Sequence, residues 1–84
     1  MYYVYVLKSK KDHRLYTGCT GNLRRRLSEH SNGNGRSTHY RRPFELVYYE
    51  ASRSKIDALH REQYLKTTYG KRYLKNRMKS DDFI

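Results

Sequence analysis

Tyr5 and Tyr16 stand eleven residues apart in segments rich in aromatic and β-branched residues. A phenol can donate or accept a hydrogen bond, and a neighbouring cation makes its ionised form more accessible. If the two segments fold as a hairpin, the pair can share one face and act on a proton. The competing reading is packing, because strand aromatics usually fill space. A second group follows in Leu23–His30, where Arg26 and His30 are four residues apart and share one side of a helix. A guanidinium there can clamp a phosphate through two hydrogen bonds. Arg24 and Arg25 point more towards solvent and suit looser contacts to a polyanion. The alternative is a solvated basic face closed by a histidine at the negative end of the helix dipole.

Glu62 is the sharpest signal. At helical spacing Ala58, Glu62, Leu65 and Tyr69 fall on one stripe, with Leu59 beside it. A carboxylate interrupts the face that should be buried, and a buried charge must be paired or coordinate a metal. Mg²⁺ sites often use one or two carboxylates, completed by water and substrate phosphate. A salt bridge to an arginine at the core edge is the rival explanation. Asn32-Gly33-Asn34-Gly35 is no phosphate loop, since no Lys-Ser/Thr follows it. One cysteine and four scattered histidines do not have zinc spacing.

The elements that must position these groups can be read from the pattern. Residues 2–8 and 14–18 read as two strands of a hairpin. Asn22 caps a helix from Leu23 to about His30, with Leu23 and Leu27 as its buried edge, and the Asn/Gly stretch ends it in a mobile loop. A third strand covers 45–51. Ser54 caps a helix from Lys55 to about Tyr69, Gly70 interrupts it, and 71–79 form a last helix with Tyr73 and Leu74 inward. The order β-β-α-β-α-α is an α+β pattern, helices packed on a small sheet.

Composition bounds the rest. Eighty-four residues are expected to make one domain, 1–84. Leu, Ile, Val and Phe number 15, under the roughly 20% level at which a highly charged chain is suspected of disorder. Ten tyrosines raise the core-capable residues to 25 and restore the expectation of a fold. A lone Cys19 excludes an internal disulfide, no apolar run reaches membrane-span length, and MYYVYVLKSK does not read as a signal peptide. A cytoplasmic protein is expected. A net charge of +11 favours a polyanionic partner, nucleic acid first.

Taken in order, Tyr-Val-Tyr (3–5), Tyr-Thr-Gly (16–18), Arg26, His30 and Glu62 resemble the GIY-YIG nuclease superfamily, and especially its small stand-alone prokaryotic members. The block LYTGCTGNLRRRLSEH, the phrase THYRRPFELVYYEA and the Glu62 helix with Leu65-Lys66 carry the likeness over nearly the whole chain. The resemblance implies a three-stranded antiparallel sheet with flanking helices and hydrolysis of DNA phosphodiesters with one divalent ion, Mg²⁺ or Mn²⁺. It implies catalytic roles for Tyr5, Tyr16, Arg26 and His30, metal binding by Glu62, and a polar active-site residue at Asn76. Arg24, Arg25 and Lys66 are expected to hold nucleic acid. Tyr3 replaces the Gly of GIY and Thr17 the Ile of YIG, both scaffold positions, and Cys19 stands where some relatives carry a basic residue. The alternatives are a non-catalytic nucleic-acid-binding module, which needs no carboxylate facing its ligand, and a structural or ribosome-associated basic protein.

Overall fold

The computed structural model describes residues 1–32 and 39–79. Two strands, β1 (Tyr2–Ser9) and β2 (Leu15–Thr20), form the expected hairpin, followed by α1 (Leu23–Ser31). A short 3₁₀ turn (His39–Arg41) leads into β3 (Phe44–Ser52), then α2 (Lys55–Leu65) and α3 (Thr68–Arg77). The sheet is antiparallel with order β2-β1-β3, as the α+β reading required. The Asn/Gly stretch read as a loop lies outside the described residues from position 33 onward.

β1 is the central strand, and Val4, Tyr5, Val6 and Leu7 are all at most 2% exposed. Side chains alternate between faces, so its two sets go to different layers. Val4 and Val6 pack with Ala58, Leu65 and Leu74 under α2 and α3. Tyr5 points the other way, against His30 of α1. One extra residue on β3, between the partners of Val6 and Leu7, makes a bulge. Val47 and Tyr48 therefore both lean towards the α2–α3 core.

Ser9, fully buried, ties the hairpin turn to the 3₁₀ turn. Its hydroxyl donates to the Arg41 carbonyl at 2.6 Å and accepts from the amides of Lys11 and Asp12. Asp12 reaches Arg41 Nε at 3.4 Å, and Lys10 N donates to the Pro43 carbonyl at 2.8 Å.

The helical boundaries differ from the expectation after α2. The helix stops at Leu65, and Thr67 starts a new one by accepting a hydrogen bond from Gly70 N. Gly70 is not the break; it lies in the first turn of α3, buried against the backbone of Tyr64 and Leu65. Tyr69 is 68% exposed and Leu59 is also exposed, so neither belongs to the buried stripe. The break at 66–67 resets the helical phase, so periodicity carried across it misplaces Tyr69, while Leu59 lies on the outer flank of α2. α2 and α3 are fastened to β3 by Arg61, whose guanidinium holds Glu50 with contacts of 2.9–3.0 Å. Tyr48 donates to Glu50 at 2.6 Å and meets the Tyr73 hydroxyl at 3.0 Å. Burial pushes the Glu50 carboxyl up, but the Arg61 and Tyr48 hydrogen bonds overcome this and leave it below the usual carboxylate range. No described helix is long and apolar enough to cross a membrane.

Candidate active site around the edge strand

The hairpin register pairs Tyr5 with Gly18 and Leu7 with Tyr16, so both tyrosines lie on the α1 face. The Tyr5 ring crosses directly over Gly18; a Cβ there would run into its hydroxyl end. α1 begins when Asn22 Oδ1 accepts from Arg25 N at 3.0 Å, which fixes the phase of the helix. His30, in the last turn, then drops into the sheet and is 1% exposed. The Tyr5 hydroxyl and His30 Nε2 are 3.0 Å apart. The Tyr16 and His30 rings meet edge to face at 5.2 Å, and Phe44 closes the other side of the imidazole at 6.1 Å.

Arg26 is half-buried and directed at the same cluster. Its Nη1 donates to Glu29 Oε1 at 2.9 Å, and Glu29 and Tyr5 together hold the guanidinium firmly charged. Burial pushes the Tyr5 phenol up, and Arg26 opposes that shift. The His30 imidazole is depressed, first by burial and then by the Arg26 charge. A neutral imidazole is therefore held against a neutral phenol beside a fixed cation. Arg24 and Arg25 are exposed on the outer side of α1, as their positions suggested.

The His30 shift has a measurable consequence. Between its depressed folded value and the ordinary value of about 6.5, the unfolded chain binds a proton that the folded chain does not. Stability should therefore fall as pH drops through that window and level off below it. Glu50 adds a separate loss at lower pH, beneath the carboxylate range. Thermal melts from about pH 8 down to about pH 2 should show both steps, and His30→Gln should erase the upper one while leaving the lower. An upper step that survives His30→Gln would assign it to another group.

Glu62 stands on α2, the helix packed on the Val4 and Val6 face of the sheet rather than on the Tyr5 face. It is 15% exposed and pairs with Lys66 Nζ at 3.1 Å, a lysine one turn on rather than the arginine that a core-edge salt bridge suggested. Its charge reaches Tyr5 and Cys19; burial, reinforced by Glu62, raises the Cys19 thiol. Among the described residues no group of three or more His, Cys, Asp or Glu side chains could cage a metal. A single, partly open carboxylate fits an ion that keeps water and substrate oxygens as ligands, the Mg²⁺ or Mn²⁺ type, and does not fit zinc. Asn76 is exposed on α3, and among the described residues no hydrogen bond or ring contact joins it to the cluster.

Tyr5, Tyr16, Arg26 and His30 are thus brought together, with Glu62 and Lys66 across the edge strand. Two members of the surroundings went unread in the sequence. Glu29 had a signal, since it stands three residues after Arg26 on one helix. Phe44 had none, because its approach to His30 depends on how the chain returns through the 3₁₀ turn.

Comparison with known proteins agrees with this architecture. Residues 1–78 match the family model of the GIY-YIG catalytic domain. A UPF0213 protein of Clostridium perfringens is 49% identical over 67 residues, covering 79% of this chain and 71% of the relative. One from Natronomonas pharaonis is 44% identical over 82 residues, 96% of this chain and 93% of the relative. The solution structure of a UPF0213 protein from Bacillus halodurans superposes with a TM-score of 0.55 at 38% identity, covering 88% of this chain and 82% of that one. A match spanning nearly every described element, with relatives this similar over most of their own length, places the chain in the GIY-YIG family, among the small prokaryotic UPF0213 proteins.

Proposed function

We propose that this protein is a single-domain endonuclease, residues 1–84, that hydrolyses DNA phosphodiesters with one divalent ion. The observation that carries the reading is the contact between Tyr5 and His30 at 3.0 Å, beside Arg26 and within reach of the Glu62 charge. A phenol with an ordinary value near 10, raised further by burial, is a poor base on its own. The neutral imidazole removes that difficulty. With Nε2 unprotonated, Tyr5 donates its hydroxyl proton to His30 as its oxygen takes one from the attacking water. No free phenolate has to form first, and the proton ends on His30. The water oxygen bonds to phosphorus and the bond to the 3′-oxygen breaks. Arg26 neutralises charge on the phosphoryl oxygens, and Tyr16 orients the water. Glu62 would hold Mg²⁺ or Mn²⁺, which polarises the phosphate and stabilises the departing 3′-oxygen. Asn76 enters only through contact with bound substrate.

The Lys66 partner of Glu62 does not obstruct this. Lys66 is 47% exposed, and an ion pair of that kind contributes only about 0–1 kcal/mol. The pair would therefore oppose metal binding at Glu62 only weakly, and Lys66 would then be available to meet a phosphate.

Duplex, nicked, branched and single-stranded DNA incubated with Mg²⁺, Mn²⁺ or chelator test the proposal. Metal-dependent cleavage is expected; binding to all four without cleavage would leave the non-catalytic module. Within an active protein, Arg26→Ala should lower the single-turnover rate by about 10²-fold or more, the loss typical of removing one oxyanion donor. Arg25→Ala, whose side chain is 72% exposed, should act mainly on affinity. Equal effects on the single-turnover rate would remove Arg26 from its assigned place.

A further inference from the structure

The strongest concentration of unassigned charge lies beyond the site, where the hairpin turn faces α3. A trough of about 820 Å³ opens there, lined by Arg14 and Arg41 on one wall and Lys71, Arg72 and Lys75 on the other. Among the described residues, none that lines it is acidic. On α3 these cations sit three and four residues apart, a spacing at which like charges destabilise a helix. Lys71, Arg72 and Lys75 are all exposed, and the ring contact of Arg72 with the exposed Tyr69 at 5.8 Å leaves its charge open to solvent. The opposite wall is built rather than loose. Buried Ser9 binds the Arg41 carbonyl, and Asp12 holds Arg41 Nε at 3.4 Å.

The trough also adjoins the candidate active site. A second hollow of about 270 Å³ runs along the open edge of β2 and is lined by Tyr16 and Lys66, both site residues. The two hollows share Leu15 and Lys71. A path thus leads from Tyr16 and the Glu62–Lys66 pair, past Lys71, to Arg72, Lys75, Arg14 and Arg41.

We infer that this path is a phosphate track: the DNA strand flanking the cleaved bond leaves the site along β2 and lays its backbone in the trough between the hairpin turn and α3. The inference rests on the nuclease reading for the identity of the strand. It moves the main grip on substrate away from Arg24 and Arg25, on the outer side of α1, to cations of α3 and the hairpin turn. The contacts are to phosphates, so the track fixes position and register without reading sequence.

The test measures binding of a fluorescently labelled DNA 20-mer, single-stranded and duplex, by anisotropy over a salt series with chelator present. Each phosphate contact contributes about 0.7 to 0.9 to the slope of log affinity against log salt. Arg72→Gln with Lys75→Gln should therefore flatten the slope by about 1.4 to 1.8, the sum for two contacts, and weaken binding at least tenfold at 0.1 M salt. Arg72→Lys with Lys75→Arg should retain the slope, which separates charge from any effect on folding. Arg53→Gln with Lys55→Gln removes the same net charge elsewhere and should change the slope little. An unchanged slope in the Arg72/Lys75 neutralised variant, or an equal loss in the Arg53/Lys55 one, would overturn the track. Because cleavage is suppressed throughout, the outcome is independent of catalysis. An unchanged slope in a protein that cleaves DNA sinks the track alone, whereas a lost slope in one that never cleaves supports the track and sinks the nuclease reading.

Discussion

Glu62→Gln should reduce cleavage to background while leaving the protein folded and able to bind DNA. The substitution keeps the shape of the side chain and removes the charge that would hold a divalent ion. Losing several kcal/mol of transition-state stabilisation corresponds to about 10³-fold or more in rate. The stability change should be small, because among the described residues the one ion pair lost is with Lys66, itself 47% exposed. Such pairs contribute about 0–1 kcal/mol, and a neutral amide is easier to place at the edge of a core than a carboxylate. DNA affinity in chelator should hold or tighten, since a negative charge near the bound phosphates is gone. The salt-bridge explanation of Glu62 predicts the opposite pattern: a lower melting temperature with cleavage nearly intact. Single-turnover cleavage, melting temperature and affinity on this one variant separate the two, and an active, destabilised protein would end the metal role of Glu62.

The largest effect on stability is expected from Gly70→Ala. In an ordinary helix this change is favourable by about 1 kcal/mol, because alanine has the higher helix propensity. Here the new methyl would collide with the Tyr64 carbonyl and the Leu65 backbone, atoms with no rotamer to escape into. The α2–α3 corner would have to open, prising Leu74 and Leu65 out of the core they share with Val4 and Val6. Overpacking of this kind costs about 1–3 kcal/mol, more where backbone must move. For a domain of this size each kcal/mol lowers the melting temperature by about 4–8 °C, so a fall of roughly 10–20 °C is expected. A melting temperature equal to or above that of the parent would show that the two helices are not in close backbone contact at this position.

The same glycine shows what the sequence makes legible and what it hides. Gly70 stood out as an interruption, and a glycine within a helical pattern does mark something unusual. Whether it ends a helix or admits a neighbouring backbone depends on where the next helix lies, which no local pattern contains. The hairpin, α1 and β3 were readable because each obeys its own short period and carries its own cap. Tyr5, Tyr16, Arg26 and His30 could be grouped because hairpin register and one helical face define them within 26 residues of chain. The Glu50–Arg61–Tyr48–Tyr73 network was invisible, since its members come from three elements whose meeting is decided only by the sheet order and the β3 bulge. The basic trough was hidden for the same reason: Arg14 and Arg41 come within reach of α3 only once the hairpin turn is tied down by Ser9.

β2 lies at one margin of the described sheet, with the tyrosine–histidine cluster on one face of the sheet and α2, the helix that carries Glu62, packed on the other. A strand supplied by another chain and hydrogen-bonded to that margin would lie across both halves at once. Growth of the architecture is therefore lopsided. Extra strands in longer relatives, fused modules, or pairing of two copies through their sheets can be accommodated at β3, the opposite margin, but not at β2 without closing the site. On the proposed function, the β3 side is the place to attach a targeting domain, and pairing through β2 is expected to block cleavage.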